Sequence, residues 1–83
     1  MTDDRRVILT PGLRIAFSGH FLLARSELVA RAEKGGLVVE EHVDEATDVL
    51  VANDAGSGSA KVRAAITEGV TILDEYTFEA LVA

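Results

Sequence analysis

The chain has 83 residues, 48% of them hydrophobic and 27% charged, with no cysteine and a net charge of −6. That length leaves room for one domain, the missing cysteines exclude disulfides and thiolate metal sites, and the acidic balance argues against coating DNA through many phosphate contacts. No apolar run approaches the roughly 18–20 residues that span a bilayer, and no apolar signal core follows the charged start Met1-Thr2-Asp3-Asp4-Arg5-Arg6, so a cytoplasmic setting is expected.

Residues 1–11 read as an N-terminal tail or linker and residues 12–83 as the domain, with Pro11-Gly12 as a turn between them. The run Leu13 to Ser18 alternates, placing Leu13, Ile15 and Phe17 on one face and Arg14 at the rim, and predicts a first strand. Gly19 ends it, and Phe21-Leu22-Leu23 stands between loop and helix. From Arg25 to Lys34 the spacing turns helical: Leu28, Val29 and Ala32 form the inner stripe, while Glu27, Arg31 and Lys34 face water. Ser26 is the expected cap, and Gly35 the expected left-handed C-terminal residue.

Leu37 to Val43 predicts a second strand, running into the acids Glu40, Glu41, Asp44, Glu45 and Asp48. Without His or Cys at ligand spacing, that tract reads as a solvated turn rather than a metal site. Asp48 to Ala52 is continuously apolar at its centre, which suits a parallel strand buried on both faces. Asn53 to Gly58 is the loosest stretch by composition. A second helix follows from Ser59 to Glu68, with Val62, Ala65 and Ile66 inward. Gly69 ends it before a short strand, Val70 to Leu73. Asp74 then caps a last helix striped by Phe78, Leu81 and Val82. The order is β-α-β-β-α-β-α, an α/β fold with parallel strands.

Crossovers between parallel strands are right-handed almost without exception. If the first helix crosses one way and the chain returns on the other side, strands one and three become neighbours. Their C-terminal ends then bound a switch point, where open α/β sheets take ligands. Ser18-Gly19 and Ser59-Ala60-Lys61 should converge there. A serine hydroxyl, a glycine amide open to close approach, a helix N-terminus and a lysine together suit a phosphate. Lys61 and Arg63 are the only Lys or Arg residues after Lys34. By spacing alone the same residues also suit a plain strand end with a solvated lysine. Arg63, His20 and Ser59 are rim candidates; for Arg63 the other reading is the solvent face of its helix, and for His20 an exposed loop. His42 has less support still.

Enzymatic readings find little. Ser18 has no base at recognisable spacing and no nucleophile elbow around it. The stretch Gly56-Ser57-Gly58-Ser59-Ala60-Lys61 lacks the glycine pairing and Lys-Ser/Thr ending of a P-loop. Asp54 follows a strand as in phospho-accepting receiver domains, but such domains need acids after strand one, where this chain has Ser18-Gly19.

The ordered set Leu13 to Gly19, Arg25-Ser26-Glu27-Leu28, Gly35-Gly36, Thr47 to Val51, Lys61, Ala65, Glu68-Gly69-Val70 and Ile72-Leu73-Asp74-Glu75 with Phe78 and Leu81 resembles a BRCT domain. The resemblance spans about residues 12–82 and is closest to the bacterial type, found in NAD-dependent DNA ligases and in exonucleases related to the DNA polymerase III proofreading subunit. It implies a four-stranded parallel sheet ordered 2-1-3-4 with three flanking helices, and a non-catalytic interaction module of a replication or repair protein. It also implies a phosphate site at Ser18, Gly19 and Lys61, with no metal and no small-molecule cofactor. The implied partners are 5′-phosphorylated DNA ends or a protein. A tryptophan that many members carry in the last helix is absent, and Phe78 is expected to fill its place. The rival within the same fold is phosphate-independent protein docking, with Phe21, Leu22 and Leu23 as the surface.

Overall fold

Ile15 and Phe17 point one way from the first strand and Ala16 the other, and all are buried, so this strand lies inside a sheet covered on both faces. The computed structural model describes residues 9–54 and 59–82. Its elements in order are β1 (Arg14–Phe17), α1 (Arg25–Lys34), β2 (Val38–Val39), β3 (Val49–Val51), α2 (Ala60–Glu68), β4 (Thr71–Leu73) and α3 (Glu75–Val82). They form a four-stranded sheet ordered β2-β1-β3-β4, parallel throughout, as the resemblance implied. Ile15 pairs with Val49 and Phe17 with Val51, which makes β1 and β3 neighbours and sets their C-terminal ends side by side.

Two apolar layers hold the sheet. On one face Ile15, Phe17, Val49 and Val51 meet Leu28 and Ala32 of α1 and Phe78 of α3; on the other, Ala16 and Leu50 meet Val62 and Ala65 of α2. Phe78 is fully buried and stands edge-on to Phe17 with ring centroids 5.3 Å apart, filling the expected core role. Truncating such a ring to alanine costs about 3–5 kcal/mol. Among the described residues no helix is long and apolar enough to cross a membrane.

Several local expectations need correction. The cap of α1 is Ala24, not Ser26, because the amides of Glu27 and Leu28 reach the Ala24 carbonyl, and no side chain caps this end. Gly35 keeps φ at −82°, and Gly36 takes the left-handed turn at φ +86°. Glycine is required twice at position 36, since a Cβ there would stand 2.9 Å from the Pro11 Cβ. Strand β2 stops at Val39: the Glu40 amide still bonds the Ile15 carbonyl, after which the acidic chain bends away to solvent. Ile66 and Leu81 are exposed rather than inward, at 65% and 36%. Each lies one residue, about 100° of helix, from a neighbour that does face the core: Ala65 and Val82. Residues 1–8 of the expected tail and 55–58 of the loose loop lie outside the described residues.

Candidate functional site

Because every strand runs the same way, the loop after β1, the segment after β3 and the starts of α2 and α3 share one edge of the sheet. Ser18 is held at the end of β1 by its amide, which donates to the Val51 carbonyl at 3.0 Å, and the residue is buried. Its hydroxyl lies 3.3 Å from the Ser59 hydroxyl. Ser59 is the N-cap of α2, accepting from the Val62 amide at 3.2 Å, so the two expected segments do converge. Gly19 adopts φ +92°, which side-chained residues reach only at a cost, and no heavy atom within 4 Å would obstruct a Cβ there. Glycine serves conformation at this position, and the space beside it is open.

Lys61 sits half-buried in the first turn of α2, with Nζ donating to the Phe17 carbonyl at 3.0 Å. Arg25, the first residue of α1, donates to that same carbonyl at 3.0 Å, and its guanidinium lies 5.8 Å from the centre of the Phe21 ring. Two cations thus converge on the last peptide of β1, one residue before Ser18. Neither forms an ion pair with any described residue. Burial lowers the pKa of Lys61, the charge of Arg25 lowers it further, and the charge of Glu41 opposes both. Arg25 escaped the sequence reading as a site residue. The available signal was its place as the first helical residue after the β1 loop, at the same switch point.

A hollow at these strand ends is lined by Ser18, Gly19, His20, Ala52, Asp54 and Val62; neither Arg25 nor Lys61 lines it. His20 is exposed, and its carbonyl accepts from the Asn53 side chain. Asp54 brings an acid to the hollow. Arg63 is exposed on α2 and does not line the hollow; its amide bonds the Ser59 carbonyl in the first helical turn. Exposed His42 lies in the bends after β2. Among the described residues no cluster of His, Asp or Glu is arranged to hold a metal ion.

The loop carrying Gly19 and His20 is fixed from an unexpected direction. Glu75, the first residue of α3, is buried, and its carboxylate accepts from the amides of Leu22 at 2.8 Å and Leu23 at 2.9 Å. Asn53 completes the latch: its side chain donates to Glu75 and to the His20 carbonyl, and accepts from the Glu75 amide at 2.8 Å. Burial pushes the Glu75 carboxyl up. The bonds from the Leu23 amide, Asn53 and the Leu22 amide outweigh that and hold it below the ordinary glutamate value. Sequence reasoning missed Glu75 because its partners are backbone amides 52 and 53 residues away, which no spacing reveals. Of the apolar trio Phe21, Leu22 and Leu23, only Leu22 is exposed; the other two pack on the core.

Two curated relatives resemble the chain. A DNA ligase of Desulforapulum autotrophicum is 44% identical over 76 residues, covering 92% of this chain and 10% of that ligase. A DNA ligase of Oleidesulfovibrio alaskensis is 36% identical over 77 residues, covering 92% of this chain and 11% of that ligase. The chain therefore spans about a tenth of the length of the curated relatives it matches. No family model matches it.

Proposed function

We propose that the chain is a BRCT-type interaction module, a non-catalytic part of a DNA-replication or repair enzyme, and that it holds a terminal 5′-phosphate of DNA. Ser18 donates its hydroxyl, Gly19 its amide, and Lys61 its charge. Arg25 joins them, and Ser59 orders the start of α2 beside them. The observation that carries this reading is the convergence of Arg25 and Lys61 on the Phe17 carbonyl with no ion-pair partner among the described residues. Two like charges held together raise the energy of the empty site, and a dianion arriving between them relieves it. The α2 N-terminus adds unpaired amides and partial positive charge on the same side.

The similarity to DNA ligases favours a DNA end over a phosphorylated peptide, which offers the same chemical group. The net charge of −6 restricts the contact to this local site, since screening removes distant charges beyond about 8–10 Å. Binding should therefore depend weakly on salt, with a slope set by about one phosphate instead of many.

Fluorescence anisotropy with duplexes that differ only in a 5′-phosphate tests the proposal. The phosphorylated duplex should bind more tightly, and Lys61→Met should remove that advantage, a loss of about 1.5–3 kcal/mol for a charge-assisted bond. Asp54→Asn should act in the opposite sense and tighten binding, because it removes a like charge from the hollow. Equal binding of both duplexes by the unmodified chain would overturn the phosphate reading. Preference for a phosphoserine peptide over the phosphorylated duplex would move the ligand from DNA to protein.

A further inference from the structure

On the other side of Asn53 from the phosphate hollow lies a second concavity of about 430 Å³, between the β1–α1 loop and the start of α3. Leu22 and Tyr76 line it while 94% and 83% exposed, and Leu23 lines it half-buried. Single exposed apolar residues are ordinary. Two of them lining one hollow present an apolar surface that the fold itself does not use.

Charge identifies what fits there. Asp74, Glu75 and Glu79 line the hollow, and among the described residues no Lys or Arg does. Glu75 is satisfied by the latch and Asp74 caps the Thr77 amide, but the side chain of half-buried Glu79 makes no hydrogen bond or ion pair with any described residue. No Lys or Arg follows Arg63 in the sequence. A partly desolvated carboxylate beside apolar side chains favours an incoming cation.

We propose that this groove docks an extended protein segment bearing a large apolar side chain next to a lysine or arginine. The apolar group lies between Leu22 and Tyr76, and the cation reaches Glu79 and Asp74. Nucleic acid is repelled by the acidic lining. A second copy docking through the same face would set its own Asp74 and Glu79 against these. A cationic, apolar segment is the occupant that matches both features, and it requires nothing of the phosphate site. The module would then hold a protein and a DNA end on adjacent parts of one rim.

The ¹⁵N-labelled chain, titrated with an acetylated and amidated Gly-Leu-Lys-Leu-Arg-Gly peptide, gives the test. Amide shifts should centre on Leu22, Leu23, Tyr76 and Glu79. Glu79→Gln and Tyr76→Ala, both changes at the surface, should each weaken binding about tenfold. A peptide with glutamates in place of its two cations should not bind, and the 5′-phosphorylated duplex should not displace the cationic one. The proposal is overturned by an absence of shifts at millimolar peptide, or by equal binding of a leucine-free Gly-Lys-Gly-Arg peptide. It is also overturned by shifts centred on the acidic tract from Glu40 to Asp48, by displacement with the duplex, or by concentration-dependent self-association that Tyr76→Ala abolishes.

Discussion

Glu75 and Lys61 are charged groups at the same rim of the same sheet, and the fold treats them in opposite ways. Glu75 is buried and surrounded by donors: two loop amides and the Asn53 side chain all point at its carboxylate. Lys61 is only half-buried, shares its one carbonyl partner with another cation, and has no carboxylate within ion-pair distance among the described residues. The pKa values of both are lowered, but with opposite meanings. For Glu75 the shift favours its charged form in the native state, and for Lys61 it disfavours it. A charge that the fold satisfies is structural. A charge held against its own interest, at the same rim as a hollow, marks a place where a ligand can supply what the protein withholds.

The largest effect that tests this contrast is Glu75→Ala. It leaves the Leu22 and Leu23 amides and the Asn53 side chain without their acceptor, and unpaired buried donors are costly. The melting temperature should fall further than for any surface substitution named above, with loss of exchange protection at Leu22 and Leu23. Retained protection there would mean that the latch does not hold the loop. Acid acts on the same group more gently. The folded pKa of Glu75 lies below its usual 4.5, so its contribution is complete above that pH and lost as pH falls through the lower, folded value. A thermal-stability profile should show this loss in the unmodified chain, and Glu75→Gln should flatten that part of it.

Ser59→Ala comes next, at about 1 kcal/mol for loss of an N-cap, measured by denaturant unfolding. It separates the structural share of the proposed phosphate rim from the functional one, because Ser59 serves the helix directly through the Val62 amide. A Ser59→Gly variant should recover most of the stability, since glycine is nearly as good a cap.

How much of this was visible in the chain follows from the range of the interactions. The element order, α1 and the cap Asp74 rest on local spacing, and the structure shows them where expected. The meeting of Ser18 with Ser59 was legible because the handedness of crossovers turns local elements into a topology. Arg25 and Glu75 were not. Each acts through backbone groups presented by another element, Phe17 in one case and Leu22 and Leu23 in the other. Every residue carries those backbone groups, so no pattern of side chains announces them. The inward faces of short helices failed for a related reason. With only nine residues in α2, the stripe is too narrow to show whether Ile66 belongs to it.

Lys61→Met carries the smallest expected change in stability, and that smallness is its value. The substitution keeps the aliphatic stem, and the Phe17 carbonyl keeps Arg25 as a donor, so no buried group is orphaned. It also removes a cation that burial and Arg25 both disfavour. The net change at neutral pH should stay within about 0.5 kcal/mol, as for ordinary surface substitutions. Its sign should depend on pH in a defined way. The folded pKa of Lys61 lies below 10.5, so the native state binds this proton more weakly than the unfolded chain, and the ammonium's unfavourable contribution fades as pH rises through the folded value towards 10.5. Any advantage of the methionine variant should therefore shrink in alkali. Inorganic phosphate should raise the melting temperature of the unmodified chain by mass action and leave the variant unmoved. If Lys61→Met instead unfolds the domain, the ammonium is a structural group like Glu75, and the contrast between the two ends of the rim disappears.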